Sequence, residues 1–148
     1  MKKIAIFPGS FDPIHVGHLD IIKRASKLFD QLFVVVSINP EKTKQSQLKS
    51  RKEQVSKAIK KLKLRNVKVA INDGLTIDFA KKHKAKYIIR SFRSASDVEY
   101  ELDIARANYY LDKTIETVLF VAEKDLRKKS STNIRLVKEQ IKKIKNKG

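Results

Sequence analysis

No cysteine occurs in the 148 residues. That absence excludes a disulfide framework, a thiolate metal site and a cysteine nucleophile. Histidine is scarce too: His15, His18 and His83 are the whole supply, thin material for a metal centre. With four glycines and three prolines, no stretch has the composition of a linker, and nothing repeats. No apolar run approaches the roughly 18 residues that cross a bilayer. The opening Met1-Lys2-Lys3-Ile4-Ala5-Ile6-Phe7-Pro8-Gly9 has no cleavage-site pattern and reads as a strand, so a cytoplasmic protein is expected. Acid is short as well, 16 Asp+Glu against 34 Lys+Arg, a net charge of +18. Such a balance suggests a polyanion partner such as nucleic acid. Yet 26 of the cations are lysine and 8 arginine, spread along the chain, whereas base readout and bidentate phosphate recognition lean on arginine. A solvated lysine surface fits better, and nucleic acid is not expected as a partner.

What is present fits one domain spanning 1–148, long enough to bury roughly 70% of its unfolded surface. Strand and helix patterns alternate. Lys3 to Phe7 is a short apolar strand. Gly17 to Phe29 carries Leu19, Ile22, Ala25, Leu28 and Phe29 at helical spacing. Leu32 to Ile38 is a nearly continuous β-branched run, as in a strand buried on both faces. Glu41 to Lys49 is polar and lysine-rich, a mobile loop. Ser50 and Glu53 form a capping box for a helix with Val55, Ile59 and Leu62 inward. Val67 to Ile71 (strand), Leu75 to Lys84 (helix), Lys86 to Ile89 (strand), Asp97 to Leu111 (helix), Thr117 to Val121 (strand) and Thr132 to Lys145 (helix) follow. Lys142 to Gly148 should fray. This alternation predicts an α/β, Rossmann-like domain with a five-stranded parallel sheet and helices on both faces. Ligands of such sheets bind beyond the carboxyl ends of the strands.

The richest such end is Gly9-Ser10-Phe11-Asp12-Pro13-Ile14-His15-Val16-Gly17-His18. Gly9 permits a tight turn and close backbone approach. Ser10 offers a hydroxyl and an N–H. His18 falls in the first turn of a helix, where free N–H groups already attract an anion. His15, three residues earlier, can face the same side. Two histidines at a helix start could also simply cap it. Asp12 in Phe-Asp-Pro reads as turn chemistry, not as a metal ligand.

This segment resembles the signature of the nucleotidyltransferase superfamily, the adenylyl- and cytidylyltransferases, and within it the bacterial phosphopantetheine adenylyltransferases. The likeness runs over about residues 3–140. It implies transfer of AMP from ATP to 4′-phosphopantetheine, giving dephospho-coenzyme A and pyrophosphate in coenzyme A biosynthesis, with no covalent intermediate. It assigns His18 to stabilising the transition state, and Ser10 to ATP and the acceptor. Lys42, Thr76 and Arg90 fall on acceptor-contacting positions. Phe11, Ser91, Phe92, Arg93 and Glu101 fall on ATP-contacting positions. So does the run Leu126, Arg127, Lys128, Lys129, Ser130, Ser131 and Thr132, with the last three expected just before the closing helix. Without the resemblance, Lys42 is one lysine among 26, Thr76 or Asp73 could cap a helix, and Asp97 and Glu99 suit a helix dipole. Arg90 and Arg93, at i,i+3 after a strand, could reach one anion cluster. Two departures stand out: Ser91 replaces a glycine, and Leu126 to Lys129 replaces an aromatic and apolar run with its tryptophan.

Magnesium is expected to arrive with ATP, no dedicated carboxylate cage being visible. The resemblance implies a homohexamer. Interfaces deplete lysine, which points to Val34–Asn39 or, preferably, Asp97–Leu111, where Tyr100, Tyr109 and Tyr110 could anchor. Three rivals remain. A nicotinate or nicotinamide mononucleotide adenylyltransferase is disfavoured by the short chain and the Arg90–Glu101 block. A cytidylyltransferase is disfavoured by Ser130-Ser131-Thr132, and a basic nucleic-acid-binding protein by the lysine bias.

Overall fold

The computed structural model describes residues 1–39, 47–123 and 127–147, and of 127–132 the backbone alone. Along it run β1 (Ile4–Gly9), α1 (Val16–Ser26), β2 (Gln31–Ser37), α2 (Leu48–Lys60), β3 (Val67–Asn72), α3 (Thr76–Lys82), β4 (Tyr87–Phe92), α4 (Ala95–Leu111), β5 (Glu116–Val121) and α5 (Arg127–Lys147). The strands form one parallel sheet in the order β3-β2-β1-β4-β5. This is the Rossmann-like architecture expected from the alternation.

Strand periodicity sorts the core into two layers. Ala5, Phe7, Val34 and Val36 join Ile21, Ile22 and Ala25 of α1 and Val55 and Ile59 of α2 on one face. Ile6, Val35 and Ile88 join Ile77, Phe79 and Ala80 of α3 on the other. With both faces covered, the central strands tolerate no polar alternation, which explains the unbroken run in β2.

Several boundaries depart from expectation. Helix α1 ends at Ser26, and Leu28, past its end, is 61% exposed instead of inward. Helix α2 starts at Leu48 with Gln47 before it, so Ser50 is internal and caps nothing, and Leu48 and Lys49 are helical, not loop. Leu48, Arg51, Val55 and Ile59 then share one inward face, and that packing sets the start. Neither Asp73 nor Thr76 caps α3: Leu75 is its N-cap residue and makes no side-chain cap bond. Asn72 makes the turn instead, its Oδ1 accepting from Gly74 N–H at 3.1 Å. Strand β4 continues through Arg90, Ser91 and Phe92 because Leu119, Phe120 and Val121 of β5 pair beside them. Helix α5 opens at Arg127, five residues before Thr132, in a stretch with no glycine or proline to delay it, and runs to Lys147.

The decisive feature for function is a split in the sheet. Strand β1 pairs with β2 along its whole length, from Ile4 to Gly9. With β4 it pairs only at Ala5–Tyr87 and Ile6–Ile88. Pro8 has no N–H to give a ladder. Strands β1 and β4 therefore part toward their carboxyl ends, where the strand order reverses and a crevice opens.

Candidate active site

The crevice is a cleft of about 520 Å³, within the usual few hundred to a thousand Å³ of small-molecule sites. Its walls bring together Ser10, Phe11, His18, Thr76, Arg90, Ser91 and Glu101. Phe92 and Arg93 do not line it. Arg93 lies just past the end of β4, near enough to His18 for its charge to act on that ring. Lys42 and Leu126 lie outside the described residues, and of Arg127, Lys128, Lys129, Ser130, Ser131 and Thr132 only the helical backbone is described. Ser130 to Thr132 lie inside α5, not ahead of it.

One wall is the start of α1. His15 is its N-cap residue, and its Nδ1 accepts from Gly17 N–H at 3.0 Å. In return His18 Nδ1 accepts from His15 N–H at 3.1 Å. The two histidines do cap the helix, and this capping has a chemical consequence. With Nδ1 serving as an acceptor, the proton of a neutral His18 sits on Nε2. The His18 ring is half-buried, stacked on His15 at 3.7 Å and edge-on to Phe11 at 4.9 Å. Burial, then His15 and Arg93, lowers its pKa from 6.5 to about 4. At neutral pH His18 is thus an uncharged donor. Gly17 makes this possible: a Cβ there would lie 2.9 Å from His15 Cε1.

The opposite wall is β4 with α4. Arg90 donates from Nε to Glu101 Oε2 at 2.7 Å and from Nη2 to Oε1 at 3.0 Å, a bidentate pair with Glu101 buried. Residues assigned separately to the acceptor and to ATP are thus partners here. Asp97 accepts from Arg93 N–H and closes the start of α4. Among the described residues no cluster of three or more His, Asp or Glu could hold a metal ion.

Sequence reasoning missed Tyr100 as a cleft residue, and it missed Ile104 and Asn108. The signal was available: Ile104 and Asn108, three and seven residues on, share a helical face with Glu101. It also missed Arg51, 1% exposed beneath the cleft.

A cytidylyltransferase-like family model matches residues 6–137. The phosphopantetheine adenylyltransferase of Lachnoclostridium phytofermentans is 44% identical over 133 residues, 90% of this chain and 80% of that one. The chain belongs to the phosphopantetheine adenylyltransferase family. A second family member, from Bdellovibrio bacteriovorus, is 43% identical over 93% of this chain and 84% of its own. The fold reaches beyond the phosphopantetheine adenylyltransferases. A lipopolysaccharide core biosynthesis protein of Thermoplasma volcanium superposes with a TM-score of 0.61 at 24% identity, over 84% of this chain and all of that one. The nicotinic acid mononucleotide adenylyltransferase of Plasmodium falciparum gives 0.56 at 17% identity, over 84% and 77%.

Proposed function

We propose that the protein transfers AMP from magnesium-bound ATP to 4′-phosphopantetheine, forming dephospho-coenzyme A and releasing pyrophosphate. An oxygen of the acceptor phosphate attacks the α-phosphorus in line, and the bond from that phosphorus to the pyrophosphate oxygen breaks. No side chain is adenylylated on the way. The protein's part is positioning and electrostatic stabilisation. The observation that carries the reading is His18, a neutral Nε2–H donor fixed at a helix start, in one cleft with Arg90. As negative charge grows on the α-phosphoryl oxygens, that hydrogen bond strengthens at no cost in reorganisation.

Arg90, braced by Glu101, directs its remaining N–H groups at the acceptor phosphate, while Ser10, Lys42 and Thr76 complete the acceptor side. Phe11, Ser91, Phe92, Arg93 and Glu101, with the segment 126–132, serve the nucleotide. The free N–H groups of α5 belong to Arg127 to Ser130, so triphosphate binding there uses backbone of that first turn. Magnesium travels with ATP as part of the substrate. Helix α4 exposes Tyr109, Tyr110 and Leu111, supporting a homohexamer assembled through that helix, with light scattering as its check. No helix among the described residues is long and apolar enough to cross a membrane, in keeping with a cytoplasmic enzyme.

The test is pyrophosphate release with ATP and a panel of acceptors. Phosphopantetheine should react, pantetheine and nicotinate mononucleotide should not. Equal rates with unphosphorylated pantetheine would overturn the acceptor site, and turnover of nicotinate mononucleotide alone would overturn the substrate.

A further inference from the structure

Helix α2 sends one charged side chain inward. Arg51 sits in its first turn, between the inward residues Leu48 and Val55, and is 1% exposed. Among fully buried side chains in the described residues it is the largest. A guanidinium withdrawn from water must have its N–H groups satisfied by the protein. Two of the acceptors are main-chain carbonyls far apart in sequence. Nη1 donates to Ser10 O at 2.6 Å and to Ser37 O at 2.9 Å. Ser10 belongs to the loop between β1 and α1, and Ser37 is the last residue of β2. Both line the cleft.

Ser37 is paired on its outer side with Asn72 of β3, but no ladder joins it to Ser10. The β1–β2 register ends at Gly9–Val36, and β1 has already parted from β4. Just beyond Gly9 the chain turns through Phe11 with φ 46°, a left-handed conformation that non-glycine residues hold only when surroundings impose it. Charge-assisted hydrogen bonds are the strong ones, and burial keeps water from competing for them.

We infer that Arg51 is a positioning residue for the transfer reaction: one buried nitrogen clamps the Ser10 and Ser37 carbonyls and so fixes the Ser10–His18 wall against the end of β2. The inference rests on the reaction proposed above. Arg51 touches neither substrate. It acts through the place of Ser10, and through it of Phe11 and His18. An ångström of misplacement at a reacting centre costs about 100-fold, so loss of the clamp falls on kcat.

The experiment compares the wild type with Arg51→Met and Arg51→Lys in the full chain. Turnover at saturating substrates is measured well below each variant's own Tm. Hydrogen exchange of residues 9–14 and 36–39 is followed alongside. Methionine removes both bonds with little change in bulk, and lysine keeps the charge on a shorter, single-point donor. Arg51→Met should lose about 100-fold in kcat, with faster exchange confined to those two segments, and Arg51→Lys should recover part of the loss. If Arg51→Met does not fold, the lysine variant decides, with an expected loss of about tenfold and the same local exchange. A purely structural arginine gives a lower Tm with kcat within twofold and no local exchange change, which overturns the inference. A wild type that turns over none of the acceptors fails the reaction itself, and local exchange in the variants then still reads out the clamp.

Discussion

Acidification should destabilise this protein through His18, and by a calculable amount. The folded state keeps the ring neutral down to about pH 4, while an unfolded histidine takes up its proton near 6.5. Between those values the unfolded chain binds more protons, so falling pH favours it. The contribution is fully present above about pH 6.5, declines as pH drops toward 4, and levels off below. At 1.36 kcal/mol per unit the shift corresponds to roughly 3 kcal/mol. His18 keeps part of its surface in water, where screening weakens such terms, so roughly 1–2 kcal/mol is the figure to expect. For a domain of this size that moves Tm by about 3–6 °C. Denaturant unfolding of the wild type and of His18→Asn at steps from pH 7.5 to 4 separates this effect from general acid denaturation. Asparagine can still accept from His15 N–H but does not titrate. The difference between the two proteins should open below pH 6.5 and grow to about 1–2 kcal/mol. Parallel curves, or a proton NMR midpoint for His18 near 6.5, would refute the neutral-donor argument.

Three further outcomes follow from the geometry. His18→Ala should lower kcat on the order of 100- to 1000-fold in the pyrophosphate assay while sparing ATP affinity, the loss typical of one donor to a developing oxyanion. Arg90→Ala should raise the KM for phosphopantetheine and cost about 2–4 kcal/mol in chemical denaturation, because Glu101 is left buried without its partner; adding Glu101→Gln should restore part of the stability but not the KM. Gly17→Ala should be nearly neutral in stability, since alanine favours a helix by about 1 kcal/mol and the displaced His15 cap costs about as much. Its kcat should nonetheless fall at least tenfold, because the Cβ drives into the imidazole that stacks on His18.

The fold was legible because burial on both faces writes itself as unbroken apolar runs, and helices as 3.6-residue spacing. The order of the elements and the place of the cleft followed from that alone. Element ends were harder. Arg90-Ser91-Phe92 reads as the start of a loop, yet a neighbouring strand extends the pairing, and no local pattern encodes that neighbour. His18 was legible because a helix start, a glycine and a histidine are close in sequence. The Arg90–Glu101 pair joins a strand and a helix eleven residues apart, so each residue could be picked out but their partnership could not. Arg51 was hidden by the lysine-rich surroundings of Lys49 and Lys52, where one more cation passes for solvated surface. Only its position between Leu48 and Val55 on the inward face gives it away.

Gly9 and Phe11 carry a consequence for how such a sequence can drift. A Cβ on residue 9 would lie 3.0 Å from Phe11 Cζ. The Phe11 ring has little room to step aside, being 1% exposed and set edge-on to both Phe7 and His18. Any side chain at 9 therefore presses on a ring that must give by a few tenths of an ångström, and a smaller residue at 11 relieves it. Yet truncating a buried phenylalanine costs about 3–5 kcal/mol, a large share of what holds a domain folded. Each single step descends, and the paired change is reachable only from a background already more stable than this one. The two positions behave as a single inherited unit, and a library that varies one while fixing the other should recover almost nothing but the residues found here.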